Sequence, residues 1–171
     1  MEFEDLLRKR RSVRAYLEAP VEDEKIRLIL EAAQSAPSAG NLQSYKIVVV
    51  NSPEAKEKIC HASSEQASIM EAPVCLVFFA DQKRSAAKYG EWGATLYCIQ
   101  DATIAAAYAQ LAAANLGLGS VWVGAFEDGE VVEALGAAEG EIPIAIIPIG
   151  YPAEEGRQRS RRPGSEVVRE S

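Results

Sequence analysis

"ATLYCIQDATIAAAYAQLAAANLG", Ala94 to Gly117, is the stretch on which the fold turns. Alanine dominates it and Asp101 is its only charge. A helix that is apolar nearly all round is either a membrane span or a core element buried on most faces. Gln100, Asp101 and Gln110 interrupt the apolar run, and Gly117 supplies a cap at its end. The stretch therefore reads as a central core helix that the rest of the chain must surround.

The surroundings alternate between helical and strand patterns. "FEDLLRK" carries Phe3, Leu6 and Leu7 at helical spacing, and "VEDEKIRLILEAAQSA" places Ile26, Ile29, Leu30 and Ala33 on one face until Pro37 stops it. Acids fill the first turn of that second helix, where the helix dipole favours them. "KIVVV" reads as a buried strand, Pro53 opens a short helix through Ile59, and "PVCLVFFA" is a second buried strand. Beyond the central helix, "SVWVGAF" reads as a third strand and "EDGEVVEALG" as a helix. "IPIAIIPIG" is a fourth strand that Pro148 breaks late. The tail from Tyr151 has no apolar run of its own. No repeat or linker divides the chain, so the reading is one domain over residues 1–171, either α/β or α+β in layers.

Composition narrows the function classes. The formal net charge of −7 argues against general nucleic-acid binding, which needs a positive surface field. Cys60, Cys75 and Cys98 are widely spaced, and His61 is the only histidine, so neither a metal site nor a Ser-His-Asp triad is expected. Cys75 reads as a strand core residue. The start of the chain is charged from Glu2 onward and does not read as a secretory signal, so the expected location is the cytoplasm, with no membrane partner.

Against this acidic background, "RKRRSVR" packs five cations into residues 8–14, and "RQRSRRP" adds Arg157, Arg159, Arg161 and Arg162. The choice is nearly all arginine, whose planar fork matches phosphate oxygens. Ser12 adds a hydroxyl. A small phosphorylated ligand held by both chain ends accounts for this, and so does partner recognition by disordered tails. Between the second helix and the first strand lies "APSAGNLQSYKIVVV". Its small residues Ser38, Ala39 and Gly40 permit close backbone approach, and Asn41 and Gln43 offer amide edges suited to a flat heterocycle.

The ordered set "RRSVRAY", "APSAGNLQSYKIVVV", "GLGSVWVGAF", "PIGYP" and the arginine-rich tail resembles the FMN-dependent nitroreductase family over essentially the whole chain. The resemblance implies an α+β, three-layer fold, with a central, mostly antiparallel sheet flanked by helices and a buried central helix. It implies a homodimer with FMN at the subunit interface, and NADH or NADPH as reductant. The tail, residues 151–171, then takes part in the FMN and dimer contacts. Arg10, Arg11, Ser12 and Arg14 correspond to the first phosphate and ribityl group, with Arg14 nearest the flavin pyrimidine edge. Arg159 and Arg161 correspond to the tail pair. Pro37, Ser38, Asn41 and Gln43 correspond to the segment contributed by the other subunit, Gly124 and Ala125 to backbone donors near the ring, and Gln66 to a weaker polar contact.

No side-chain nucleophile or base is implied, because the flavin carries the chemistry. The implied reaction is a ping-pong transfer of a hydride to a small-molecule acceptor: a nitroaromatic, a quinone or a free flavin. The alternatives are a specialised flavoenzyme of the same superfamily (a reductive dehalogenase, a flavin-cleaving enzyme or a peptide dehydrogenase) and a non-enzymatic phosphate-ligand or partner-binding module. Two departures stand out. Ser44 replaces the family's usual proline and is expected to loosen its loop. The region from Glu65 to Ala94 is short, which suggests a more open pocket. Ala105, Ala109 and Ala112 of the central helix are expected to face a second subunit.

Overall fold

The computed structural model describes residues 2–170; Met1 and Ser171, the ends of the expected domain, lie outside the described residues. Its helices are α1 (Phe3–Lys9), α2 (Asp23–Gln34), α3 (Pro53–Ala62), α4 (Ala67–Glu71), α5 (Gln82–Trp92), α6 (Cys98–Asn115), α7 (Asp128–Leu135) and α8 (Gly164–Val167). Four strands, β1 (Tyr45–Val50), β2 (Val74–Asp81), β3 (Gly119–Ser120) and β4 (Glu141–Gly150), form one sheet in the order β1-β2-β4-β3. All three ladders are antiparallel. An isolated parallel bridge joins Ser12 to Ser120.

The side-chain alternation of β2 explains the layering. Every residue from Val74 to Ala80 is buried. Val74, Leu76, Phe78 and Ala80 face one cluster with α2 and α6, while Cys75, Val77 and Phe79 face a second with residues of α3, α4 and α7. A strand covered on both faces is a continuous apolar run, as the sequence has it. The fold is α+β, with the sheet between two helical layers. Helix α6 is the buried central helix: Cys98, Ala102, Ala105, Ala106, Ala109 and Ala113 are all fully buried. Small side chains let α2 and the sheet approach it closely.

Three expectations change. The third strand does not extend over 120–126. It pairs only at Gly119–Ser120, and Val123 adds a single bridge to Ile146. Val121 and Val123 are buried by packing rather than by a ladder. The fourth strand is not broken by Pro148, which stays in register opposite Cys75, because the ladder to β3 stops at Ile149. A shift between Phe78 and Phe79, opposite Ala145 and Pro143, leaves Ile144 as an extra residue beside Pro143, which has no N–H to give. Within 65–94 lie two further helices, α4 and α5, with no periodic apolar pattern to announce them. Finally, Ala105 and Ala109 face the chain's own core, and half-buried Ala112 packs against it. The outward stripe of α6 is Thr103, Ala107 and Tyr108, flanked by half-buried Ile104 and Leu111.

Among the described residues no helix is long and apolar enough to cross a membrane. Among the same residues, no three or more His, Cys, Asp or Glu side chains gather as a metal site.

Candidate functional site

The basic motif after α1 is bound to the sheet before it meets any ligand. Val13 N–H donates to Ser120 O at 3.0 Å, and the buried Tyr16 hydroxyl donates toward Val13 O (2.7 Å) and Pro148 O (3.2 Å). Burial pushes the Tyr16 pKa far up, so the hydroxyl remains a donor.

After β4 the chain turns back along this motif. Leu17 N–H donates to Tyr151 O and Ala153 N–H to Ala15 O, both at 2.9 Å, and Arg14 N–H reaches the Glu154 carboxylate at 2.8 Å. Gly156 then crosses Ser12 and Arg11 so closely that a Cβ there would run into the Ser12 carbonyl. Arg11 donates to Gly156 O (3.3 Å) and to the Gln158 side chain (3.4 Å). The two arginine stretches, at opposite ends of the chain, thus share one place.

That place is a cavity of about 420 Å³ lined by arginines 8, 10, 11, 14, 157, 159 and 161 together with Leu7, Ser12 and Gln158. Among the described residues, only Arg8 of the seven arginines has a carboxylate within salt-bridge distance, from Glu4 (3.4 Å) and Asp5 (3.8 Å). Arg11 Nε is buried and has no hydrogen-bond partner among the described residues. A buried guanidinium N–H without an acceptor is costly unless an anion completes it. The donor set is thus suited to a phosphate: planar, permanently charged groups from two segments, with a hydroxyl among them.

Of the residues singled out in the sequence, Arg10, Arg11, Ser12, Arg14, Arg159 and Arg161 line this cavity. The others lie elsewhere on the same chain. Pro37 and Ser38 line a separate, largely apolar cavity of about 580 Å³ with Tyr97, Asp101 and Ile104. Gln43 lines a third, and exposed Asn41 is bonded to it, Gln43 Nε2 donating to Asn41 Oδ1 at 3.2 Å. Gln66 is exposed at the start of α4, following two left-handed residues, Ser64 (φ 53°) and Glu65 (φ 58°). Gly124 and Ala125 are exposed in the turn before α7. Glu127 N–H donates to Ala62 O at 2.9 Å, tying that turn to the end of α3.

Three features went unread in the sequence. Arg8 and Arg157 also line the cleft, although each stood in a quoted stretch. Glu154 fixes the backbone at Arg14, with nothing local to announce it. Asp101 is 2% exposed and accepts from Ala39 N–H (2.8 Å) and Ser44 N–H (3.3 Å). Its being the only charge in an apolar helix was the available signal. The Ser44 loop is therefore not loosened: Ser44 is fully buried, and its N–H makes a bond that a proline could not.

Known proteins share this fold and sequence pattern. The model of the Nitroreductase family matches residues 7–69 and 60–151. A Thermus thermophilus protein named NADH dehydrogenase is 35% identical over 187 residues, covering 94% of this chain and 91% of its own. A Bacillus subtilis protein named FMN reductase [NAD(P)H] is 34% identical over 170 residues, covering 92% and 68%. Among solved structures, that of NfrA2 from B. megaterium superimposes with a TM-score of 0.90 at 31% identity, covering 97% of this chain and 72% of its own.

Proposed function

The chain belongs to the nitroreductase family, and from that premise we propose that it is an NAD(P)H-dependent flavin oxidoreductase holding FMN in the arginine cleft. The observation that carries this reading is the meeting of two arginine stretches in one cavity, where among the described residues only Arg8 has a carboxylate within salt-bridge distance. Arg10, Arg11, Ser12, Arg159 and Arg161 would hold the phosphate and ribityl hydroxyls. Arg14 is held at its backbone by Glu154 while its side chain lines the cleft, and it would set a permanent positive charge at the flavin's pyrimidine edge. Gly124 and Ala125, exposed in a turn, would offer backbone N–H groups to the ring, with Gln66 a weaker polar contact.

When bound, FMN supplies the hydride chemistry, taking a hydride from NADH or NADPH and passing it to a nitroaromatic, quinone or flavin-type acceptor. The protein's residues bind, orient and provide charge; no side chain of the cleft is needed as a nucleophile.

Pro37, Ser38, Asn41 and Gln43 do not reach the arginine cleft of their own chain. We assign them to the FMN site of a second copy, in a homodimer whose contact surface includes the outward stripe of α6. The 1–171 unit is taken as one domain whose tail, 151–171, belongs to that site. Three free, buried cysteines suit the reducing cytoplasm.

The test is anaerobic mixing of the FMN-loaded protein with NADH or NADPH. Loss of the flavin absorbance near ~450 nm, and its return on adding a quinone or nitroaromatic, is the expected result. Flavin that stays oxidised with both reductants contradicts the reading.

A further inference from the structure

A buried carboxylate needs partners. Asp101 finds them in two backbone N–H groups, Ala39 at Oδ1 (2.8 Å) and Ser44 at Oδ2 (3.3 Å), at the two ends of one loop. Between these ends the backbone is unusual. Gly40, Asn41 and Gln43 are all left-handed, with φ of 56°, 57° and 49°. Asn41 N–H donates to Ser38 O (3.0 Å), Leu42 N–H to Ala39 O (3.1 Å) and Gln43 N–H to Ser38 Oγ (2.9 Å). Helix α5 closes the loop from outside: Arg84 Nε donates to Leu42 O, and Tyr89 and Lys88 pack on Gly40 where a Cβ would stand.

The two non-glycine residues paying the conformational cost are the two that carry amide side chains. Both are exposed, and one hydrogen bond joins them, Gln43 Nε2 donating to Asn41 Oδ1. A loop needing only an anchor does not require left-handed asparagine and glutamine.

We propose that Asp101 is a positioning residue of the flavin site. By gripping both ends of the 38–44 loop, its carboxylate fixes Asn41 and Gln43 in the one conformation that presents their joined amides. This inference rests on the reading that the loop meets FMN.

The experiment is a double-mutant cycle read by the FMN dissociation constant and by the visible circular dichroism of bound flavin. Asp101→Asn keeps a single acceptor oxygen and turns an NH₂ toward one of the two N–H donors. It is expected to weaken FMN about tenfold and to change the flavin dichroism, a shift equivalent to about 1.4 kcal/mol. Asn41→Ala weakens FMN in the wild-type background. In the Asp101→Asn background it adds little, because the amide is no longer placed.

Should Asp101→Asn not fold, Asp101→Glu keeps the buried charge while displacing its oxygens by one methylene, and the same loss of the Asn41 effect is expected. Effects of Asp101 and Asn41 that multiply independently overturn the proposal, as does an Asn41→Ala variant that binds FMN like wild type. Wild-type protein that takes up no FMN contradicts the underlying reading instead.

Discussion

The N–H of Ser44 donates to Oδ2 of Asp101, 57 positions along the chain, while the Ser44 hydroxyl is buried without a partner among the described residues. One residue therefore makes a valuable bond with its backbone and none with its side chain.

The two halves of Ser44 separate by mutation. Ser44→Ala removes an unsatisfied buried hydroxyl and is expected to be neutral or stabilising, within about 1 kcal/mol. Ser44→Pro removes the N–H to a charged acceptor, at a cost of about 1.5–3 kcal/mol. It also places a proline after left-handed Gln43, where an extended residue is preferred. Thermal unfolding of the two variants checks this. A proline variant as stable as wild type contradicts the Asp101 bond.

His61, near the end of α3, pairs with Glu65 on the exposed surface. Its Nδ1 lies 2.9 Å from Glu65 Oε1, and that hydrogen bond, then the charge of Glu65, raise the His61 pKa above its ordinary value. A raised folded-state pKa means that the pair's contribution is fully present below the unfolded pKa and is lost as pH rises through the folded one. Both side chains are well exposed, so the effect on stability is small. As this is the only histidine, its ring proton resonances need no assignment. Glu65→Gln is expected to lower the NMR titration midpoint; an unchanged midpoint contradicts the pairing.

Arg14 is expected to tune the potential of bound FMN rather than its affinity. Arg14→Gln should lower the flavin midpoint potential, because the anionic reduced form loses a cation. A fully loaded variant with an unaltered potential contradicts that role.

Sequence and structure agree where burial alone decided the pattern. The alanine-rich α6 and the continuous run of β2 are legible because both are covered on nearly every side. Helix α5 is not, because among "QKRSAAKYGEW" only Ser85 is buried, which leaves no apolar stripe to detect. Its available sign was the cap: Asp81 accepts from Arg84 N–H at 2.9 Å. The third strand is shorter than its sequence predicts because β-branched residues signal burial, and Val121 and Val123 are buried without a ladder. In the site, the arginines were visible as composition. Their convergence was not, since it depends on the tail crossing Ser12 at Gly156, 145 positions from Arg11. The Asp101 clamp was hidden for the same reason.

The divided site predicts a dimer. Sedimentation is expected to give twice the 18.5 kDa of one chain, and Ala107→Arg, placing a charge in the outward stripe of α6, is expected to give monomers that no longer retain FMN. A wild-type monomer that still holds FMN at low micromolar concentration contradicts the shared site.

The central claim is that the arginine cleft holds the phosphate of FMN, and its most direct measurement compares FMN with phosphate-free riboflavin in wild type and Arg10→Ala. Losing one charge-assisted contact costs about 1.5–3 kcal/mol, or about tenfold to a hundredfold in affinity. The account predicts that Arg10→Ala loses that much for FMN and almost nothing for riboflavin. Equal weakening of both ligands, or of neither, contradicts it.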